Sequence, residues 1–206
     1  YFKSVPLCEK VLKTTLPSVT QNAGTKFNND TFCFQLVANC DRDAHNVTIR
    51  PSILGEHLHI FVAQDVVANK PVCDMIPNIV MDDYYIKSAD NSYPDVLQSL
   101  TQVDLIKNES KTFVVVADKT CPVGNYDISF DLVTDSVLAT CKYNLVVSDI
   151  SLPQSDLITT NWLYCDCIAS SFGVQVFSPE FYDIFGKYLT FYVEGGNNTL
   201  LTPIFT

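Results

Sequence analysis

The sequence predicts a mainly β protein, in which an antiparallel β-sandwich is followed by one βαβ unit. Two patterns indicate this fold class. Residues 1–150 contain short segments with alternating apolar residues, separated by turns, as in a sandwich of paired sheets. Residues 161–206 show the order strand, helix, strand, which is typical of a parallel sheet. Between these regions, residues 151–160 are polar around Leu152-Pro153, so we expect a linker there.

The strands of the first region are predicted from alternation and from β-branched composition. In Asn125–Val133 the apolar residues fall at every second position, so one face of this strand is buried. Thr134-Asp135-Ser136 then turns the chain into the next strand and predicts a hairpin. Pro94-Asp95 predicts another turn. The predicted strands are Thr31–Ala38, Asn46–Arg50, His57–Val62, Lys111–Ala117, Asn125–Val133 and Val137–Val147.

The second region begins with Asn161–Gly173, which we interpret as an apolar strand running into a loop. A helix is predicted from Ser178, because serine is a good N-cap and the following Pro179 fits the first helical position. Gly195 or Gly196 would end it. Thr199–Thr206 is predicted to be a second strand. The helix carries an apolar stripe that we expect to pack against a sheet: Phe181, Ile184, Phe185, Tyr188 and Phe191.

Composition limits the classes of partner. The chain of 206 residues has 13 Lys and Arg against 23 Asp and Glu, and its net charge is −10. Nucleic acid and anionic membrane surfaces are bound by basic patches, so we expect neither as a partner. No apolar run reaches about 18 residues, so no membrane span is predicted. With 47% hydrophobic residues the chain can form a packed core. No cofactor is predicted.

Cysteines and glycosylation motifs indicate the cellular route. Eight cysteines are many for a cytosolic protein of this size. Four Asn-X-Ser/Thr motifs accompany them. Together these features predict a secreted or lysosomal glycoprotein with disulfide bonds, although the sequence does not determine which cysteines pair. The candidate glycosylation sites are Asn29, Asn46, Asn108 and Asn197.

Several short motifs occur in a consistent order along the chain. In the second region they are Asn161-Trp162-Leu163, Asp166-Cys167, Val174-Gln-Val-Phe-Ser178 and Leu201-Thr-Pro-Ile-Phe-Thr206. Upstream they are Phe34-Gln35, Tyr93-Pro-Asp-Val-Leu97, Val123-Gly-Asn-Tyr126 and Leu152-Pro153. In this order they resemble glycoside hydrolase family 123. The resemblance is dense from Asn161 onward, whereas the upstream matches are short.

The resemblance implies that residues 1–150 form a β-sandwich and that residues 161–206 are the incomplete start of a (β/α)8 barrel. It also implies an enzyme that removes terminal N-acetylgalactosamine from glycans, with the acetamido oxygen of the substrate as nucleophile. An adjacent Asp-Glu pair serves this chemistry in the family. No Asp is followed by Glu in this sequence. We therefore expect the N-terminal portion of such an enzyme, with no catalytic residue of its own.

Two other interpretations remain open. The chain could be a non-catalytic β-sandwich module that binds glycans or has a structural role. It could also belong to a diverged family member that is inactive at full length.

Candidate substrate contacts lie where the predicted barrel strands end, because barrel active sites form at the carboxyl ends of the strands. Trp162 and Asp166 follow the first strand, and Thr202 and Thr206 lie on the second. The indole of Trp162 could stack on a sugar ring, and the carboxylate of Asp166 could accept hydrogen bonds from its hydroxyl groups. Alternatively, Trp162 packs in the core, Asp166 caps local backbone amides, and the two threonines are ordinary strand residues.

Two motifs could suggest a metal site, but neither predicts one. Cys165-Asp166-Cys167 would present both thiols on one strand face, yet two ligands do not make a zinc site. His57-Leu58-His59 would place two imidazoles on one face of a strand, with Glu56 as the only carboxylate nearby in sequence. An exposed polar strand face is the expected structure, so no metal site is assigned.

Overall fold

The computed structural model describes residues 1–67, 88, 90–153, 160–162, 164–194 and 199–201. The chain divides into two compact units, Tyr1–Leu152 and Pro153–Thr206. The first unit contains strands β1 Phe2–Val5, β2 Ala23–Lys26, β3 Phe32–Asn39, β4 Ala44–Pro51, β5 Leu58–Val67, β6 Ser92–Ser99, β7 Val103–Leu105, β8 Ser110–Ala117, β9 Gly124–Val133 and β10 Val137–Val147. The second unit contains β11 Thr160–Trp162, α1 Cys165–Phe172, α2 Pro179–Glu194 and β12 Thr199–Leu201.

The first unit is a β-sandwich. Among the described residues, one sheet has the strand order β1-β3-β8-β5-β6 and the other has the order β2-β10-β9-β4-β7. Neighbouring strands are antiparallel except for the pair β10 and β2, which is parallel. The hairpin predicted around Thr134–Ser136 is confirmed as the β9–β10 connection. The predicted mainly β fold class is confirmed.

Both sheets contribute aromatic residues to one core. Phe34 of β3 stacks on Tyr143 of β10, with ring centroids 3.9 Å apart, and meets the edge of Phe130 of β9 at 5.7 Å. All three side chains are almost fully buried. Ile128 and Leu132 are buried beside Phe130, as the alternation in β9 predicts. Burial of each large side chain contributes roughly 1.5–3 kcal/mol, so these inward faces hold the sheets together.

The prediction of a turn at Pro94-Asp95 is wrong. Pro94 and Asp95 lie within β6, at the edge of the first sheet. The pairing of β6 with β5 shifts register between Gln64 and Asp65, so Asp95 falls in an irregularity of the ladder. Proline lacks the N–H that a central strand requires, but an edge strand with a bulge tolerates it.

The second unit has the predicted strand–helix–strand order, and β11 and β12 are parallel, with Trp162 opposite Leu201. The expectation that a loop follows the first strand is wrong, because helix α1 begins at Cys165. Cys165, Ile168 and Ala169 are buried at the i, i+3 and i+4 spacing of a helix. Gly173 ends α1 in the left-handed conformation, with a φ of 64°.

Helix α2 begins as predicted. The Oγ of Ser178 accepts a hydrogen bond from the backbone N–H of Phe181 at 3.2 Å, which is the geometry of an N-cap. Phe181 is buried, and Ile184, Phe185 and Tyr188 pack with it against the buried face of α1. The aromatic stripe therefore serves as core. Gly195, Gly196 and the side chain of Phe191 lie outside the description.

A substitution at Gly24 tests the packing between the sheets. A Cβ atom on Gly24 would overlap the ring of Phe32 and lie 2.5 Å from the hydroxyl of Tyr143. We expect Gly24→Ala to lower the free energy of unfolding by about 1–3 kcal/mol, because the core must shift to accept the methyl group. Gly55→Ala is the matched control, since a Cβ there meets nothing within 4 Å. Urea denaturation of both variants measures the difference. Equal stabilities would contradict this account of the core.

Candidate functional site

The candidate substrate contacts of the second unit follow strand β11. Trp162 is the last residue of this strand, and Asp166 lies in the first turn of α1, where its side chain is exposed. A carboxylate at this position is favourable next to the N-terminal end of the helix dipole. Asp166 makes no side-chain hydrogen bond to a described residue, and α1 has no side-chain cap at Tyr164. The alternative in which Asp166 caps local backbone amides is therefore not what the described residues show.

The other two candidates cannot be placed. Strand β12 ends at Leu201, and Thr202 and Thr206 lie outside the described residues. Trp162 and Leu201 pair at the carboxyl ends of β11 and β12, so the two parallel strands end at the same level. Asp166 follows the first of these ends by only four positions. Trp162, Asp166, Thr202 and Thr206 remain predictions as substrate contacts.

The two cysteines beside Asp166 do not share a face. Cys165 is buried and Cys167 is exposed, because residues two apart on a helix point in nearly opposite directions. The expectation of a common strand face is wrong for this reason. Within the described ranges, no group of three or more His, Cys, Asp or Glu side chains could hold a metal ion.

The expectation of disulfide bonds is not supported by the described cysteines. Cys33 and Cys141 lie on different strands of the sandwich, Cys8 and Cys121 lie in loops, and all four are free thiols. Burial raises the pKa of the Cys33, Cys121 and Cys141 thiols, which favours the protonated form over the reactive thiolate. The free thiols among the described residues include Cys8, Cys33, Cys40, Cys121, Cys141 and Cys167.

A carboxylate that the sequence did not indicate joins the two histidines. Asp118, just beyond β8, contacts the Nε2 of His59 at 3.1 Å and lies 3.7 Å from the Nδ1 of His57. The backbone N–H and hydroxyl of Thr120 donate to the same carboxylate at 2.8 and 2.7 Å. These donors lower the pKa of Asp118 to about 2, with the Thr120 hydroxyl as the largest cause. The cluster ties the start of β5 to the end of β8.

The candidate glycosylation sites differ in their local structure. Asn46 and Asn108 are exposed and adopt left-handed backbone conformations, with φ angles of 54° and 61°. Asn29 is also exposed, but its side chain is bound to the backbone of Leu152. The amide nitrogen of Asn29 donates to the oxygen of Leu152 at 3.0 Å, and the Oδ1 of Asn29 accepts from the N–H of Leu152 at 2.8 Å. The side chain of Asn29 therefore helps to hold the end of the sandwich. Asn197 lies outside the described residues.

In fold, the chain is similar to a family 123 glycoside hydrolase from Clostridium perfringens, whose structural analysis concerned glycolipid glycan hydrolysis. The TM-score is 0.74 at 14% sequence identity, and the similarity covers 97% of this chain. The chain spans 37% of the length of that hydrolase. At this identity the similarity shows the fold alone. No protein-family model and no curated protein matches the sequence.

The chain therefore shares the fold of part of that hydrolase. Within the described ranges, neither helix has both the length and the apolar character of a membrane span.

The depressed pKa of Asp118 predicts a change in stability in acid. In the unfolded chain the pKa of an Asp carboxyl is about 3.9. The contribution of Asp118 to the free energy of unfolding is therefore present above about pH 4 and is lost as the pH falls toward 2. We expect Asp118→Asn to be less stable than the natural chain at pH 6, with a difference that shrinks between pH 4 and pH 2.5.

Urea denaturation across this pH range provides the measurement. Asp149→Asn is the control, because its carboxylate makes no hydrogen bond to the described residues. A stability difference for Asp118→Asn that stays constant down to pH 2.5 would show that the carboxylate is not held as described.

Proposed function

We propose that this chain forms the sandwich and the beginning of the barrel of a glycoside hydrolase that removes terminal N-acetylgalactosamine from glycans. The observation that supports this proposal most directly is the parallel β11–β12 pair, separated by α1 and α2, that follows the sandwich. The structural similarity to the family 123 hydrolase covers 97% of the chain, which includes this second unit. The net charge of −10 favours a glycan over nucleic acid as the partner.

The proposed reaction assigns this chain a binding role. In substrate-assisted hydrolysis the acetamido oxygen attacks the anomeric carbon, a carboxylate orients the acetamido group, and a second carboxyl group protonates the leaving oxygen. No Asp is followed by Glu in these 206 residues. The acid–base pair would therefore be supplied by barrel strands outside this sequence, and the described strands would contribute to one side of the sugar site.

Asp166 is the residue we propose for that contact. Its carboxylate is exposed and follows the carboxyl end of β11, where a barrel forms its active site. A carboxylate can accept hydrogen bonds from two neighbouring sugar hydroxyl groups. If these bonds tighten as the sugar ring flattens in the transition state, they accelerate hydrolysis as well as binding.

The substitution Asp166→Asn tests this role in a longer protein that continues through the barrel. Losing a charge-assisted hydrogen bond costs about 1.5–3 kcal/mol, so we expect kcat/KM to fall at least roughly tenfold with little change in Tm. Asp183→Asn is the matched control, because Asp183 is an exposed carboxylate on α2.

A chromogenic N-acetyl-β-galactosaminide is the substrate for this measurement, and the 206-residue chain is the negative control, which should release no more product than buffer. A lower Tm with normal turnover per folded molecule would assign Asp166 a structural role. Robust turnover by the 206-residue chain would contradict the proposed division of the site.

We further propose that the protein is a secreted or lysosomal glycoprotein. The support is the four glycosylation motifs, two of which place an asparagine in an exposed, left-handed position at Asn46 and Asn108. Because Cys8, Cys33, Cys40, Cys121, Cys141 and Cys167 are free thiols, this proposal rests on the glycosylation motifs and not on disulfide bonds.

Expression in a eukaryotic secretory host tests the proposed route. We expect treatment with an N-glycan-removing amidase to increase gel mobility, and Asn46→Gln and Asn108→Gln each to remove one step of the shift. Asn144→Gln is the control, since Asn144 lies outside any glycosylation motif. A secreted chain whose mobility does not change would rule out glycosylation, and retention in the cytosol would rule out the route.

A further inference from the structure

The outer face of the second sheet carries a groove of about 750 Å³ that is lined by both apolar and polar groups. Strand β10 pairs with β2 only from Asn144 onward, so the earlier part of β10 is not covered by β2. Lys3 of β1 and Asn22, which precedes β2, line the groove beside this part. On the other side, Asn144 pairs with Asp127 across the β9–β10 hairpin. The volume lies within the range of small-ligand pockets, roughly 300–1,000 Å³.

Hydrogen bonds hold several polar side chains of the groove in place. The amide nitrogen of Asn144 donates to the Oδ1 atoms of Asp127 at 2.9 Å and Asn125 at 2.7 Å. Asn22 accepts from the hydroxyl of Ser4 at 3.0 Å, which leaves its amide hydrogens as donors. The groove thus presents fixed donors and acceptors at once, which matches the hydroxyl groups of sugars because each hydroxyl both donates and accepts.

The charges in the groove favour an anionic group on that ligand. Lys3 and Lys142 both line it, and the ammonium group of neither makes a hydrogen bond or an ion pair with the described residues. In a chain with 13 basic residues against 23 acidic ones, two lysines facing one groove stand out. One carboxylate, Asp127, also lines the groove, but the amide of Asn144 already donates to it. The ammonium groups of Lys3 and Lys142 therefore remain available to bind a negatively charged group of a ligand.

We propose that this groove binds a glycan through a sugar that carries a carboxylate. Lys3 and Lys142 contact the carboxylate, and Asn22, Asp127 and Ser129 contact neighbouring hydroxyl groups. The site lies entirely on the sandwich and does not depend on hydrolysis by the proposed barrel. It would hold an acidic glycan while the barrel acts elsewhere on the chain of sugars.

Titration calorimetry with the full chain tests the proposal, using sialyllactose as the acidic probe and lactose as the neutral one. We expect sialyllactose to bind in the submillimolar to millimolar range, at least fivefold tighter than lactose, and more weakly as salt is raised. The double variant Lys3→Gln/Lys142→Gln should weaken binding at least tenfold. Lys119→Gln is the control, because Lys119 is an exposed lysine outside the groove and should change nothing.

Ser129→Trp is a second variant that fills the groove without changing charge, and it should also abolish binding. Thermal denaturation of every variant identifies loss of folding. Equal affinity for both probes would overturn the assignment of an acidic sugar. The proposal is also overturned if neither probe binds at millimolar concentration, or if binding survives both the double lysine variant and Ser129→Trp in folded protein.

Discussion

The stacking of Phe34 on Tyr143 is the contact on which the sandwich depends. It joins β3 of one sheet to β10 of the other at a centroid distance of 3.9 Å. Phe130 of β9 packs edge-on against the ring of Phe34. Burial raises the pKa of Tyr143 to about 12, because the ionised phenol would have no water around it. The Tyr143 hydroxyl also lies close to the backbone of Gly24, so β2 can approach only where a side chain is absent.

The same alternation that fills this core sets the chemistry of the outer surface. Because successive residues of a strand point to opposite faces, Ile128 and Phe130 are buried while Asp127 and Ser129 face outward on the same strand. The antiparallel register then places the polar residues of β9 beside those of β10. A groove with fixed hydrogen-bonding groups is therefore a consequence of how the core is built.

The core of the second unit is formed between two helices and not between two sheets. Its buried residues come from the facing sides of α1 and α2, where Phe181 packs on Ile168 and Ala169. Phe172 of α1, Tyr182 of α2 and Phe177 in the connection between them remain more than half exposed. A single parallel strand pair with its helices offers little surface to cover such residues. In the proposed enzyme, the further strand–helix units of a barrel would provide that cover.

The sequence by itself determined the elements whose period repeats locally. Alternation identified β9 and β10, and the cap at Ser178 with its aromatic stripe identified α2, because each of these signals arises within one segment. Helix α1 was not predicted because it is short and directly follows an apolar segment whose sequence is typical of a strand. Only its buried spacing at Cys165, Ile168 and Ala169 distinguishes it.

Contacts between distant segments were decided by the tertiary structure alone. Asp118 meets His59 across 59 positions of the chain, and Asn29 holds Leu152 across 123. No local pattern encodes such pairs, because they form only when separate strands take their places in the sheets. The same holds for the cysteines: their number suggested disulfide bonds, but in the folded chain Cys8, Cys33, Cys40, Cys121, Cys141 and Cys167 are free thiols. Lys3 and Lys142 likewise share a groove only because β1 lies beside the part of β10 that β2 leaves uncovered.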